Sequence, residues 1–196
     1  MRLDSLFYRF VYRFGRPRWD SSDHRPELEE FVRGHRPGRA LDIGCGTGAD
    51  AVFLAGAGWD VVGVDFVPEA IESAEARARA AGSAAIFHTG DASCLRAAGV
   101  EGPFDLILDI GCYHAIPDRR RDAYAAGVAA VARTGADFFL AGTEDPPASW
   151  RLLGARGVDA AELHSRFGRD FDLVEARTVG GVGRISEFDL FRMVRR

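Results

Sequence analysis

The chain has 196 residues, 47% hydrophobic and 28% charged, with a formal net charge of −4. That is the length of one domain with a substantial core, and its negative balance argues against a nucleic-acid binder that works by general electrostatics. All 25 basic residues are arginine, which excludes lysine Schiff-base chemistry, and no apolar run approaches the roughly 18 residues of a membrane span. Residues 1–16 place Leu3, Leu6, Phe7, Phe10, Val11 and Phe14 at helical spacing, with Arg2, Arg9, Arg13 and Arg16 on another face. The pattern predicts an amphipathic helix that packs on the domain, closes over a cleft as a lid, or lies on a membrane surface. Residues 1–36 read as a helical cap or lid, with Trp19 over the site if it closes, and 37–196 as the main domain. Asp23 and Pro26 open a second short helix over 27–33.

From Arg39 onward strands and helices alternate. Strands fall near 39–43, 60–65, 84–88, 104–109 and 137–141, and helices near 47–57, 68–81 and 118–132. Pro68 starts the middle helix and Gly82 ends it. Such alternation predicts a parallel sheet with helices on both faces. The tail differs: a helix near 159–167 precedes two apolar runs, 171–177 and 187–194. A turn of Gly180, Gly181, Val182 and Gly183 joins them, which predicts an antiparallel hairpin. No repeat or linker divides the chain.

The densest signal is Ala40-Leu41-Asp42-Ile43-Gly44-Cys45-Gly46-Thr47-Gly48-Ala49-Asp50. A buried strand ends in a turn of glycines at spacing two, where a ligand can touch backbone at the start of a helix. Seventeen residues after Gly48, the run Val61-Val62-Gly63-Val64 ends in Asp65. In an open parallel sheet, nucleotide-like ligands bind at that edge, beside the switch point. Gly44, Gly46 and Ala49 also satisfy the dinucleotide pattern G-x-G-x-x-A. Against it, Asp42 would repel a pyrophosphate, whereas it suits an ammonium group.

These motifs resemble the cofactor site of class I S-adenosylmethionine (SAM) dependent methyltransferases over roughly residues 38–143. The resemblance implies a Rossmann-like, doubly wound α/β sheet of seven strands in the order 3-2-1-4-5-7-6. It implies SAM as cofactor, with Asp42, Gly44, Cys45, Gly46 and Gly48 against its methionine part and Asp65 on the two ribose hydroxyls. A carboxylate suits a vicinal diol because it accepts two hydrogen bonds at once. Asp91 would meet the adenine amine and the Ala92 N–H a ring nitrogen. Phe66 would lie on the adenine face. The end of the fourth strand, Asp109-Ile110-Gly111-Cys112-Tyr113-His114, would form the floor between cofactor and acceptor, with Asp109 among the cofactor-binding residues and backbone carbonyls on the SAM ammonium. It lacks the Asn/Asp-Pro-Pro-Tyr/Phe sequence of amino- and adenine-N-methyltransferases. It is similar to small-molecule methyltransferases of the thiopurine, halide/thiol and tellurite-resistance types.

Each position has a plainer reading. Asp91 can cap a short helix, and Phe66 can be core. His114 is the candidate general base, since its ordinary pKa lies near neutrality; it can equally shape the pocket. Tyr113 is the candidate for positioning the acceptor. Cys112 reads as a small side chain beside the substrate rather than a nucleophile. Arg119-Arg120-Arg121 opens a helix where cations are disfavoured; it is a solvated face or binds an anionic acceptor. Cys45, Cys94 and Cys112 lie far apart, which fits a reducing compartment. No zinc-ligand spacing appears, so no metal is expected. The expectation is a cytoplasmic monomer or homodimer that methylates a small molecule at sulfur, oxygen or another soft nucleophile. Alternatives are C- or N-methylation of a natural-product or quinone-like metabolite, a non-catalytic SAM-binding protein, and an NAD(P)-dependent reductase.

Overall fold

A computed structural model describes residues 3–14, 26–152, 154–180 and 187–196. Trp19 and residues 181–183 lie outside the described residues. Two helices, α1 (Leu3–Phe14) and α2 (Pro26–Gly34), precede the alternating region. That region runs β1 (Arg39–Ile43), α3 (Ala49–Gly56), β2 (Asp60–Asp65), α4 (Pro68–Ala81), β3 (Ile86–Thr89), β4 (Phe104–Ile110), α5 (Asp118–Val131) and β5 (Ala132–Gly142). The tail adds α6 (Ala148–Leu152), α7 (Ala160–Phe167), β6 (Phe171–Gly180) and β7 (Glu187–Arg195).

The strands form one seven-stranded sheet in the order β3-β2-β1-β4-β5-β7-β6. Strands β1 to β5 pair in parallel, and β7 runs antiparallel to both β5 and β6. Successive side chains of a strand point to opposite faces, and here both faces are covered. Leu41, Ile43, Val64, Ile107, Phe138 and Leu140 meet Tyr124 and Val128 of α5 and Phe167 of α7. Ala40, Val61, Leu106, Leu108 and Phe139 meet Leu28 and Phe31 of α2 and Ala51 and Leu54 of α3. Two covered faces explain the near-continuous apolar runs of the central strands.

Where the elements differ from the sequence reading, the backbone gives the reason. Helix α3 starts at Ala49 because Gly48 has φ 76°, a left-handed conformation that a right-handed helix cannot include. Strand β5 begins five residues early, directly after α5, across a register shift opposite Phe104 and Leu106. Helix α6 follows Pro146 and Pro147 and was not legible as an element. No described helix is long and apolar enough to cross a membrane.

Leu41 sits at the centre of the sheet with no exposed surface. Leu41→Ala is predicted to cost about 2–5 kcal/mol. In urea the midpoint should fall while the slope stays unchanged.

Candidate active site

The site forms where β1, β2 and β4 end together. After Ile43 the chain turns, and the N–H groups of Gly44 and Cys45 both donate to the Val64 carbonyl, at 2.7 and 3.1 Å. Gly44 has φ 71°, and a Cβ there would come within 2.6 Å of Cys112 Cβ. A side chain is therefore excluded both by conformation and by the 110–113 loop pressed against the turn. Arg77 of α4 clamps the turn from outside: its Nε donates to the Thr47 carbonyl at 2.9 Å and its Nη2 to Thr47 Oγ1 at 3.1 Å.

Asp65 ends β2 and is buried. Its Oδ2 accepts from Gly46 N at 3.1 Å and its Oδ1 from Val67 N at 2.9 Å. These two bonds fix the plane of the carboxylate and tie it to the glycine turn. Asp91 follows β3 and caps a single 3-10 turn, Ala92–Cys94. Its Oδ1 accepts from Ser93 N at 2.9 Å and Ser93 Oγ at 2.6 Å, and its Oδ2 pairs with Arg120 Nη1. Partial burial pushes its pKa up, but the Ser93 bonds and the Arg120 charge outweigh that and hold it below the usual carboxylate range.

The floor hangs from Asp109, a wholly buried carboxyl near the end of β4. Its Oδ1 accepts from Cys112 N at 2.8 Å and Tyr113 N at 3.0 Å, and its Oδ2 accepts from the Tyr124 hydroxyl of α5. Burial lifts its pKa to about 6 despite those donors.

These elements enclose a cavity of about 370 Å³. Of the residues expected at the site, Gly44, Asp65, Phe66, Asp91, Ala92 and Cys112 line it. Phe66 is 43% exposed, and Tyr8 of α1 meets it edge-on at 5.5 Å between centroids. Helix α1 is held over α4 by an ion pair from Arg9 Nη2 to Glu69 Oε1 at 3.0 Å. Asp42, Cys45, Gly46, Gly48 and Asp109 do not border the cavity; the turn glycines and Asp109 shape its walls from behind. Burial pushes the thiols of Cys45 and Cys112 well up, so both stay protonated at neutral pH.

Tyr113 and His114 lie elsewhere than expected. Neither lines the cavity. The Tyr113 ring is fully buried, its hydroxyl donates to Glu162 Oε1 at 3.0 Å, and the Arg121 guanidinium covers its face at 4.5 Å. His114 is buried too, and that burial, with a smaller push from Arg121, lowers its pKa to about 4. An imidazole that weakly basic is a poor proton acceptor near neutrality. The 3-10 turn Tyr113–Ala115 turns both rings into the protein. Nothing in the sequence pattern signals that turn.

The sequence pattern singled out none of Tyr8, Tyr12, Val67, Ala115, Ile116 and Pro117, which also line the cavity, and it left Arg120 undecided. The arginine run divides by helix geometry. Arg119 is exposed, Arg120 borders the cavity, and Arg121 is buried with Nη1 on Glu162 Oε1 at 2.8 Å.

A family model described as "Methyltransferase domain" matches residues 40–135. Over 186 residues the chain is 29% identical to the 2-heptyl-1-hydroxyquinolin-4(1H)-one methyltransferase of Mycobacteroides abscessus, covering 88% of this chain and 81% of that protein. A solved structure described by the conversion of a disulfide bond into a thioacetal group during echinomycin biosynthesis superposes with a TM-score of 0.80. It shares 30% identity and the match covers 97% of this chain and 92% of the other. The fold is also that of the Burkholderia thailandensis 1,6-didemethyltoxoflavin-N1-methyltransferase bound to 1,6-didemethyltoxoflavin and S-adenosylhomocysteine. There the TM-score is 0.76 at 23% identity, over 98% of this chain and 87% of that one. Strand order and family match together define a methyltransferase. The chain belongs to the class I SAM-dependent methyltransferases.

Asp109 and His114 make opposite contributions to stability. In an unfolded chain their pKa values sit near about 3.9 and 6.5. Between about pH 4 and 6 folded Asp109 keeps a proton that the unfolded chain gives up, so its contribution falls as pH rises. Folded His114 lacks a proton that the unfolded chain binds, so its contribution rises with pH over nearly the same window. Asp109→Asn is therefore predicted to lose stability more steeply than the parent as pH falls from about 6.5 to 4. His114→Gln should lose it less steeply. Urea denaturation across that range reads the three slopes, and equal slopes would contradict the account.

Proposed function

We propose that the chain transfers a methyl group from SAM to a small, largely apolar aromatic acceptor, at an oxygen, sulfur or other soft nucleophile that is already ionised when it binds. The observation that carries the reading is that Asp65 and Gly44 share one cavity with Tyr8, Tyr12, Ile110 and Ile116. Its volume of about 370 Å³ suits a ligand site.

The residues fit SAM. A carboxylate has about four acceptor directions, so Asp65, oriented by Gly46 and Val67, suits the ribose diol. Phe66 offers an exposed ring for the adenine face, and Asp91 with the Ala92 N–H suits the adenine edge. Asp42, buried behind the turn, supplies negative potential for the ammonium group. Bound SAM supplies an electrophilic methyl group on a sulfonium, whose transfer to an anion cancels charge.

What this chain contributes is alignment and the exclusion of water. Asp109 fixes the floor through Cys112 N and Tyr113 N, while Tyr8 and Tyr12 of α1 also line the cavity. No histidine lines the cavity among the described residues. This supports acceptors that lose their proton in solution, such as acidic hydroxyls and thiols. The Mycobacteroides abscessus relative is named for a hydroxylated aromatic heterocycle, and that class is the first to test.

Incubation with methyl-labelled SAM and 2-heptyl-1-hydroxyquinolin-4(1H)-one, thiophenol, 4-nitrophenol or iodide should give labelled product with at least one aromatic acceptor. Asp65→Ala should weaken SAM at least about tenfold, or about 1.4 kcal/mol, in calorimetry. Asp65→Asn, which keeps one acceptor oxygen, should lose less. Tight binding of NAD(P)H in place of SAM would overturn the reading.

A further inference from the structure

We propose that Arg120 recognises the anionic charge of the acceptor, and that Asp91 holds it in reserve until the cofactor's adenine claims that carboxylate. The inference rests on the SAM reading above and names the charge class of the acceptor.

The position of Arg120 is the first reason. It is the third residue of α5 (Asp118–Val131), in the first turn, where the helix dipole disfavours a cation. Its neighbours in the run have other work, since Arg119 is exposed and Arg121 is bound to Glu162 and the Ile116 carbonyl. Among the described residues that line the cavity, Arg120 is the one cation, beside the carboxylates of Asp65 and Asp91. A cation placed against the helix dipole and facing a ligand cavity is explained by what it binds there.

The second reason is how Asp91 is used. Its Oδ1 is committed to Ser93 N and Ser93 Oγ, so the carboxylate stays put. Its Oδ2 accepts from Arg120 Nη1. An adenine amine that approaches Oδ2 from the cavity, the side that Arg120 lines, meets Nη1 there and must displace it. The pair is easily opened, because both side chains are more than two-fifths exposed, 42% and 43%, and ion pairs at such sites are weak.

Once displaced, the guanidinium keeps a planar fork of donors inside a cavity that Phe66, Ile110 and Ile116 also line. The partner that suits it is an ionised oxygen or sulfur on the acceptor. A neutral acceptor gives Arg120 nothing, so it returns to Asp91 and competes with the cofactor. Cofactor and anion then favour each other's binding, and by linkage the effect is reciprocal.

The test is calorimetry with S-adenosylhomocysteine, 4-nitrophenolate and its neutral analogue nitrobenzene. The parent protein loaded with S-adenosylhomocysteine should bind 4-nitrophenolate at least about tenfold more tightly than the unloaded protein does. Arg120→Gln should lose that tenfold for 4-nitrophenolate, bind nitrobenzene within about twofold of the parent, and bind S-adenosylhomocysteine no more weakly. Arg120→Lys, which keeps the charge, should retain most of the 4-nitrophenolate affinity. Equal 4-nitrophenolate binding with and without S-adenosylhomocysteine, no binding of it to the loaded protein, or equal losses for both probes in Arg120→Gln would each overturn the proposal while leaving the SAM site intact. Failure of S-adenosylhomocysteine to bind the parent would overturn the SAM reading and this proposal with it.

Discussion

The site depends on the junction between the glycine turn and the end of β2. Two backbone N–H groups, from Gly44 and Cys45, converge on the Val64 carbonyl, and a third, from Gly46, reaches the Asp65 carboxylate. The turn after one strand is thus built on the end of its neighbour. That arrangement needs parallel strands that end at the same level, which the β1–β2 register supplies by pairing Ile43 with Val64. It also needs glycine, because Gly44 adopts a left-handed conformation with Cys112 against it. The glycine turn, the Asp65 carboxylate and the 110–113 loop are therefore one packed unit. A change in any of them is felt by the other two.

Charge is handled in two ways around that unit. Carboxylates that face the cavity are tied to N–H or guanidinium donors, Asp65 by Gly46 and Val67 and Asp91 by Ser93 and Arg120. The carboxyl that builds the floor, Asp109, is wholly buried and satisfied by the Cys112 and Tyr113 N–H groups and the Tyr124 hydroxyl. Its role is to shape the 110–113 loop, and it does not border the cavity. The same burial that raises Asp109 lowers His114, which makes that imidazole a weaker base than a free one.

The sheet and the side of the cavity built from the glycine turn and Asp65 were legible because they rest on local pattern. Apolar runs with two covered faces mark parallel strands, glycines at spacing two mark a turn with left-handed positions, and Asp65 stands where such a strand must end. The strand order came from family resemblance rather than from periodicity, and the structure has it. The rest of the cavity was not legible in the same way. Tyr113 and His114 follow β4 as a reactive pair would, but a single 3-10 turn rotates them into the core. Tyr8 and Tyr12 reach the cavity through the packing of α1 on α4, a contact between residues about 60 positions apart, as in the Arg9–Glu69 pair. The Arg119–Arg121 run looks uniform in sequence, and only the helical rotation assigns its three members to solvent, cavity and core. Turns and long-range docking carry that information, and neither leaves a periodic trace.

The most direct measurement is a crystal structure with S-adenosylhomocysteine bound. The account predicts the nucleoside in the cavity, its ribose hydroxyls on Asp65, its adenine between Phe66 and Asp91, and the Asp91–Arg120 pair opened. A nucleoside bound away from Asp65, or a glycine turn that must rearrange to admit it, would contradict the central claim that the turn and the β2 carboxylate form a prebuilt cofactor site.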